Sequence, residues 1–169
     1  MRNDKSPGRG WLPMRSFLGI TLAGLALACA DPTEPETTNG SWSSDNTWTG
    51  QIVITVNPDS PRLPSDPVTI YAVEVRGDSV DLNVTFGGGC NDHTFTLLSA
   101  AAWMESYPVQ VAVRLSHDAH GDACDALLTR VLRFDLSPLK AAYANAYNTT
   151  TGIVRLNIAG SSTSPTYAW

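Results

Sequence analysis

The chain has no apolar run long enough to cross a bilayer comfortably. Its longest, SFLGITLAGLALA over residues 16–28, is about 13 residues, where a spanning helix takes roughly 20. It also lacks the usual signatures of catalysis: no Gly-x-Ser-x-Gly, no His-Glu-x-x-His, and no phosphate-cradling loop, since Gly87-Gly88-Gly89 is followed by neither Lys-Ser nor a helix start. An enzyme is therefore not expected. Basic residues are few, 11 against 16 acidic, and four of them (Arg2, Lys5, Arg9 and Arg15) fall in the first fifteen positions. Without that segment and its Asp4, 7 basic residues face 15 acidic ones. A remainder that acidic, with no basic cluster, excludes nucleic acid as a partner and is a poor match for anionic headgroups.

What the first residues do contain is a basic start, a short apolar core and small residues at its end, the pattern of a secretory signal peptide over residues 1–28. The core ends in Leu25-Ala26-Leu27-Ala28-Cys29. This stretch resembles the lipobox of bacterial lipoproteins, although Ala26 stands where that family most often has leucine. The resemblance implies that Cys29 becomes the lipidated N-terminus, carrying acyl chains such as palmitate. Each buried methylene contributes about 0.8 kcal/mol, so two or more chains hold a protein where one would let go. In that family an aspartate directly after the cysteine marks inner-membrane retention. Here the position is Ala30, with Asp31 one further on, so the resemblance implies the outer membrane of the cell envelope. The alternative is an ordinary cleaved signal with a chance cysteine.

Residues 30–50, ADPTEPETTNGSWSSDNTWTG, are polar and almost free of aliphatic side chains. Such a composition buries too little apolar surface to offset ordering entropy and reads, with Cys29, as a flexible tether over 29–50. Trp42 and Trp48 interrupt it. They could dock onto the domain or onto a sugar or lipid surface; otherwise Trp48 begins the packing of the first strand and Trp42 is incidental.

From residue 51 to 169 the dominant signal is alternation. Val109, Val111, Val113 and Leu115 are apolar on one side of a run, Val80, Leu82, Val84 and Phe86 on one side of a second, and Val154, Leu156 and Ile158 on one side of a third. Period 2 with one wet face is the pattern of a half-buried strand. Less strict strands fit at 51–57, 68–76, 93–99 and 127–136, each rich in β-branched or aromatic residues. About seven short strands separated by Gly, Pro, Asp and Asn predict an all-β fold, an antiparallel β-sandwich. In LSPLKAAYANAYN the period changes: Ser137 can cap, Pro138 fits the first helical position, and Leu139, Ala142, Tyr143 and Ala146 follow at helical spacing. One short helix should cover an open end. Tyr167 and Trp169 add a last edge contact or belong to a frayed terminus.

With Cys29 assigned to lipid, Cys90 and Cys124 remain as an even pair outside the cytoplasm, and a disulfide between them is expected. Each lies in a loop entering a strand. The rival is a metal: Cys90-x-x-His93 and His117-x-x-His120-x-x-x-Cys124 offer sulfurs and imidazoles that zinc or copper would accept. Asp118 and Asp122 could then orient the imidazoles, though the spacing matches no zinc-finger pattern. Calcium fits less well, because Ala123 stands where an EF-hand loop needs glycine. His93 could instead pack under the disulfide, with His117 meeting it across the same sheet end or pairing with Asp122. Gly87, Gly88 and Gly89 should permit a positive φ, a bulge or a close backbone approach beside Cys90.

GGGCNDHTF, MESYPVQVAVRLSHD, GDACDA and FDLSPL, across residues 86–140, are similar to a pattern in uncharacterised lipoproteins of bacteria. That similarity implies a shared secreted domain and carries no activity. The expectation is thus a lipid-anchored module of the envelope, binding or structural, with no cofactor. Its ligand is an unidentified envelope or extracellular partner met by the loops at Gly87–His93 and Ser116–Asp125. The alternative function is metal binding through His93, His117 and His120.

Overall fold

Alternating side chains sort onto two faces, and in the computed structural model, which describes residues 40–169, they build a β-sandwich. The expected signal peptide over 1–28, Cys29 and the expected tether as far as residue 39 lie outside the described residues. In chain order the strands are β1 (Ser41–Trp42), β2 (Thr47–Gln51), β3 (Val53–Thr55), β4 (Thr69–Arg76), β5 (Ser79–Gly88), β6 (Thr94–Ala100), β7 (Val109–Asp118) and β8 (Ala126–Asp135). Helix α1 (Ser137–Tyr147), β9 (Ile153–Ile158) and β10 (Thr166–Ala168) complete the chain. One five-stranded sheet has the order β1-β2-β8-β5-β4, the other β10-β9-β7-β6-β3.

The three strictly alternating runs are central strands. Val80, Leu82, Val84 and Phe86 of β5, Val111, Val113 and Leu115 of β7, and Val154, Leu156 and Ile158 of β9 all enter one buried core. Burying such a side chain contributes about 1.5–3 kcal/mol. On the outer face of β5, Asp81 is also buried, because Arg133 lies over it in a two-pronged contact of 2.7 Å at each oxygen. A bidentate guanidinium supplies the hydrogen bonds that a desolvated carboxylate needs.

The sheets are mixed, not purely antiparallel as predicted, and two features of the chain cause this. First, the N-terminal strand changes sheets. β2 pairs parallel with β8, and after one residue β3 pairs parallel with β6. The pivot is Ile52, 1% exposed, whose N–H donates to the Asp135 carbonyl at 3.0 Å. Second, α1 carries the chain from β8 in one sheet to β9 in the other and leaves β9 parallel to β7.

Strand structure begins at Ser41, so residues 41–50 belong to the sandwich and not to a tether reaching residue 50. Composition misled here because the few apolar side chains of the segment are large ones. Trp48 is buried, and Trp42 packs edge-on against both Trp48 and Phe95. Trp42 is therefore not incidental.

Helix α1 covers the predicted residues and buries Leu139 and Tyr143, but Ser137 is not its cap. The Ser137 backbone N–H and hydroxyl both donate to Asp135 Oδ1, at 2.9 and 2.7 Å. The helix ends at Asn148, which takes the left-handed conformation at φ +51°. Its Tyr143 stacks edge-on with Trp103 and Trp169. The C-terminus is no frayed tail, because β10 pairs with β9 and Tyr167 is wholly buried. The Tyr167 hydroxyl donates to Asp78 Oδ1 at 2.7 Å; burial and then that carboxylate push its ionisation well above the ordinary phenol value.

Candidate functional site

Cys90 follows β5 and Cys124 precedes β8, and because β5 and β8 are neighbours in one sheet, Gly88 stands opposite Ala126 and the two loops meet at one end. The sulfurs are joined, with Cα atoms 6.0 Å apart and a sequence separation of 34. That spacing sits inside the ordinary range of about 4.4–6.8 Å. The enclosed segment is the β6–β7 hairpin.

Beside the disulfide the loop after β5 turns its amides inward. The backbone N–H groups of Gly89, Cys90 and Asn91 all donate to Asp122 Oδ2, at 2.8, 2.9 and 2.9 Å, while Cys124 N–H donates to Oδ1 at 2.9 Å. Consecutive amides converging on one oxygen form an anion nest, and here the chain fills it with its own carboxylate. The N–H groups of Asn91, Cys124 and Cys90 hold Asp122 far below the ordinary carboxylate range, against the opposing effect of burial. Glycine is needed to make the nest. Gly88 and Gly89 take φ +140° and +117°, and a Cβ on Gly88 would lie 2.5 Å from His93 Nε2 and 2.8 Å from Asp122 Oδ2. Gly87 needs neither freedom nor space, and no bulge interrupts its pairing with Leu127.

His93 and His117 come together under this loop. His93 Nε2 lies 3.2 Å from Asp122 Oδ2, His93 Nδ1 lies 2.8 Å from His117 Nε2, and His117 Nδ1 lies 3.2 Å from the Asp66 carbonyl oxygen. The rings are 3% and 1% exposed and pack against Phe86 and Phe95, with His117 stacked on Phe95 at 4.5 Å and 4°. Both ends of this chain, a carboxylate and a carbonyl, only accept. Three hydrogen bonds in series therefore need three ring protons, and two neutral imidazoles bring two. Burial first, and the neighbouring His93 as well, depress the protonation of His117, while its Asp66 acceptor opposes them.

His120 stands apart. It sits in the β7–β8 turn at φ +49°, half exposed, with Nε2 2.8 Å from Thr94 Oγ1. Asp118 braces that turn, accepting the His120 backbone N–H at 2.8 Å. So the three imidazoles offered as alternative zinc or copper ligands do not converge: two are bonded to each other and the third is fastened to the surface. Among the described residues, the donor atoms that lie within reach of a single ion are those of Cys90, Asp122 and Cys124, and those two sulfurs are already bonded to each other. The Asp122 partner is His93, not His117. Asp118 lies 3.6 Å from His120 Nδ1, and neither it nor Asp122 orients a ligating ring.

Next to the disulfide, an open cavity of about 300 Å³ is walled by Trp42 and Leu128 and rimmed by Asn46, Asn91, Asp92 and Arg130. His93 and Phe86 lie at its floor.

No protein-family model and no curated protein matches the chain. Solved structures do. A NigD-like immunity protein from Bacteroides caccae is 20% identical with a TM-score of 0.46, over 63% of this chain and 50% of that one. A toxin-related protein of Parabacteroides distasonis, provisionally so named, is 16% identical with a TM-score of 0.45, over 73% and 60%. A provisionally named lipoprotein of Bacteroides fragilis is 9% identical with a TM-score of 0.44, over 72% and 69%. The chain thus spans between half and about two-thirds of the length of these structures. At such identities none of these names passes to the chain.

Sequence reasoning overlooked Asp66 and Arg130 altogether. Asp66 lies 51 residues from its partner His117 and carries no local signal. Arg130 reads as the polar side of a strand, and its place on the cavity rim follows only from the neighbouring loops.

Proposed function

We propose that the chain is a lipid-anchored, extracytoplasmic β-sandwich that acts as a binding module of the cell envelope, held by acyl chains on Cys29 in the outer membrane. The observation that carries this reading is the Cys90–Cys124 disulfide, set in a loop end that its own hydrogen bonds pre-form. Disulfides persist in oxidising compartments, which agrees with the signal-like start and with Leu25–Cys29. Pre-formed loops on a rigid sandwich are where binding residues concentrate. A role without catalysis is consistent with the buried histidine pair, which among the described residues has no nucleophile bonded to it and has almost no exposure. An acidic exterior also disfavours nucleic acid.

Labelling of growing cells with radioactive palmitate, followed by gradient separation of the membranes, tests the reading. Label on the wild-type chain in the outer-membrane fraction, absent after Cys29→Ala, is the expected result. A chain that takes up no label and fractionates with the cytosol overturns it.

A further inference from the structure

We propose that the cavity beside the disulfide is a binding site for a neutral saccharide; this rests on the reading of the chain as a binding module and names its ligand class. Size sets the first limit. At about 300 Å³ the cavity lies at the small end of the roughly 300–1,000 Å³ typical of small-molecule sites, and it is open on one side, which suits the end of a longer chain better than an enclosed cofactor.

Charge sets the second. The rim carries one carboxylate, Asp92, and one guanidinium, Arg130. Among the described residues neither takes part in a salt bridge: the only side-chain hydrogen bond of Arg130 goes to the carbonyl of its neighbour Thr129, at 2.8 Å. Opposite charges on one rim cancel, so the site has no preference for an anion or a cation. Both groups keep hydrogen-bonding capacity for a neutral ligand rich in donors and acceptors.

Shape and chemistry set the third. Four planar polar groups, the amides of Asn46 and Asn91, the Asp92 carboxylate and the Arg130 guanidinium, surround the mouth. The Asn91 amide nitrogen already donates to the His120 carbonyl at 3.5 Å, which leaves its oxygen to accept, while the other three groups each carry two or more heteroatoms in a plane and can engage two adjacent hydroxyls at once. The wall is aromatic and aliphatic, from the half-buried Trp42 and from Leu128. An amphipathic aromatic wall offers the C–H face of a sugar ring an apolar surface at little entropic cost. A purely lipidic ligand would desolvate these polar groups without supplying the hydrogen bonds they still lack.

The site is also rigid. The Trp42 indole N–H donates to the His93 carbonyl at 3.3 Å. Asn91 is pinned through its backbone to Asp122. Arg130 lies on β8, between β2 and β5. Three separate pieces of chain, the β1–β2 turn, the disulfide loop and β8, thus hold the backbone of the site in place, so that ordering on binding is confined to side chains.

The test uses the acylated full chain in detergent micelles, titrated with maltose, cellobiose, chitobiose, xylobiose and mannobiose while tryptophan fluorescence is followed. Galacturonate, glutamate and inorganic phosphate serve as charged counterparts. At least one neutral disaccharide should give a saturable change, weakened tenfold or more by Arg130→Ala and by Asp92→Ala, whose circular dichroism matches the parent. The proposal is overturned if no neutral disaccharide binds with a Kd below about 10 mM, if only the charged compounds bind, or if both substitutions leave binding unchanged. Failure here leaves palmitate labelling untouched, so loss of the saccharide site and loss of the anchored-module reading are told apart.

Discussion

Removing the Cys90–Cys124 bond by the double substitution Cys90→Ala, Cys124→Ala should destabilise the domain by about 4 kcal/mol, a value set by the 34-residue separation of the partners through the entropy of closing a loop of that length. Against a typical stability of about 5–15 kcal/mol, that is a large share. The loss should fall on the unfolded chain. In the native state the same two loops are still joined by the three backbone N–H groups of Gly89, Cys90 and Asn91 that Asp122 accepts, so the nest and the histidine pair stay in place without the sulfurs. Two signatures follow in urea titrations monitored by fluorescence and circular dichroism. The midpoint drops, and the slope rises, because an uncrosslinked denatured chain exposes more surface. The native spectra should coincide. A loss below about 1 kcal/mol would refute the chain-entropy reasoning and show that the Asp122 hydrogen bonds already do what the crosslink does.

Gly88→Ala should cost roughly 1–3 kcal/mol, the usual range for a residue forced into a sparsely populated backbone region, with further loss from its contact with His93. Gly87→Ala next to it should stay within about 0.5 kcal/mol, and equal effects in thermal melts would contradict the nest geometry. Tyr167→Ala should cost roughly 3–5 kcal/mol as a large buried aromatic, whereas a change near zero in urea would mean that β10 is not part of the fold. Acid should destabilise the protein in two windows. Burial depresses the protonation of His117 below its ordinary 6.5, so below that value the unfolded chain binds the extra proton and stability falls with pH. Asp122, held down by its amides, and Asp78, held down by Tyr167 and Lys140, start from 3.8; their contribution is present above that value and is lost as pH falls beneath it. A melting temperature that is flat from pH 6.5 to 3 would contradict both.

The strands with strict alternation were legible because parity is local: β5, β7 and β9 each show their buried face within six to ten residues. The disulfide was legible by elimination once Cys29 was set aside. Strand partners were not, since parallel pairing of β2 with β8 joins residues some eighty positions apart, as in Trp48 with Leu132. The first two strands were hidden by composition: in TWTGQ only one side chain is large and apolar, and the burial of Trp48 depends on Phe95, met far along the chain. His117 and His120 looked like ligands because they lie three positions apart in sequence, and His93 because it lies three from Cys90. Strand register sets His117 opposite Phe95 and within reach of His93, while the left-handed turn at His120 carries the third ring to the surface.

The most direct check on an acylated, oxidised module is the intact mass of the protein extracted from membranes of growing cells without reductant. The expected mass is that of a chain beginning at Cys29, raised by its acyl chains and lowered by the two hydrogens lost to one disulfide. A chain that still begins at Met1, carries no lipid and reacts with a thiol reagent at both Cys90 and Cys124 would contradict it.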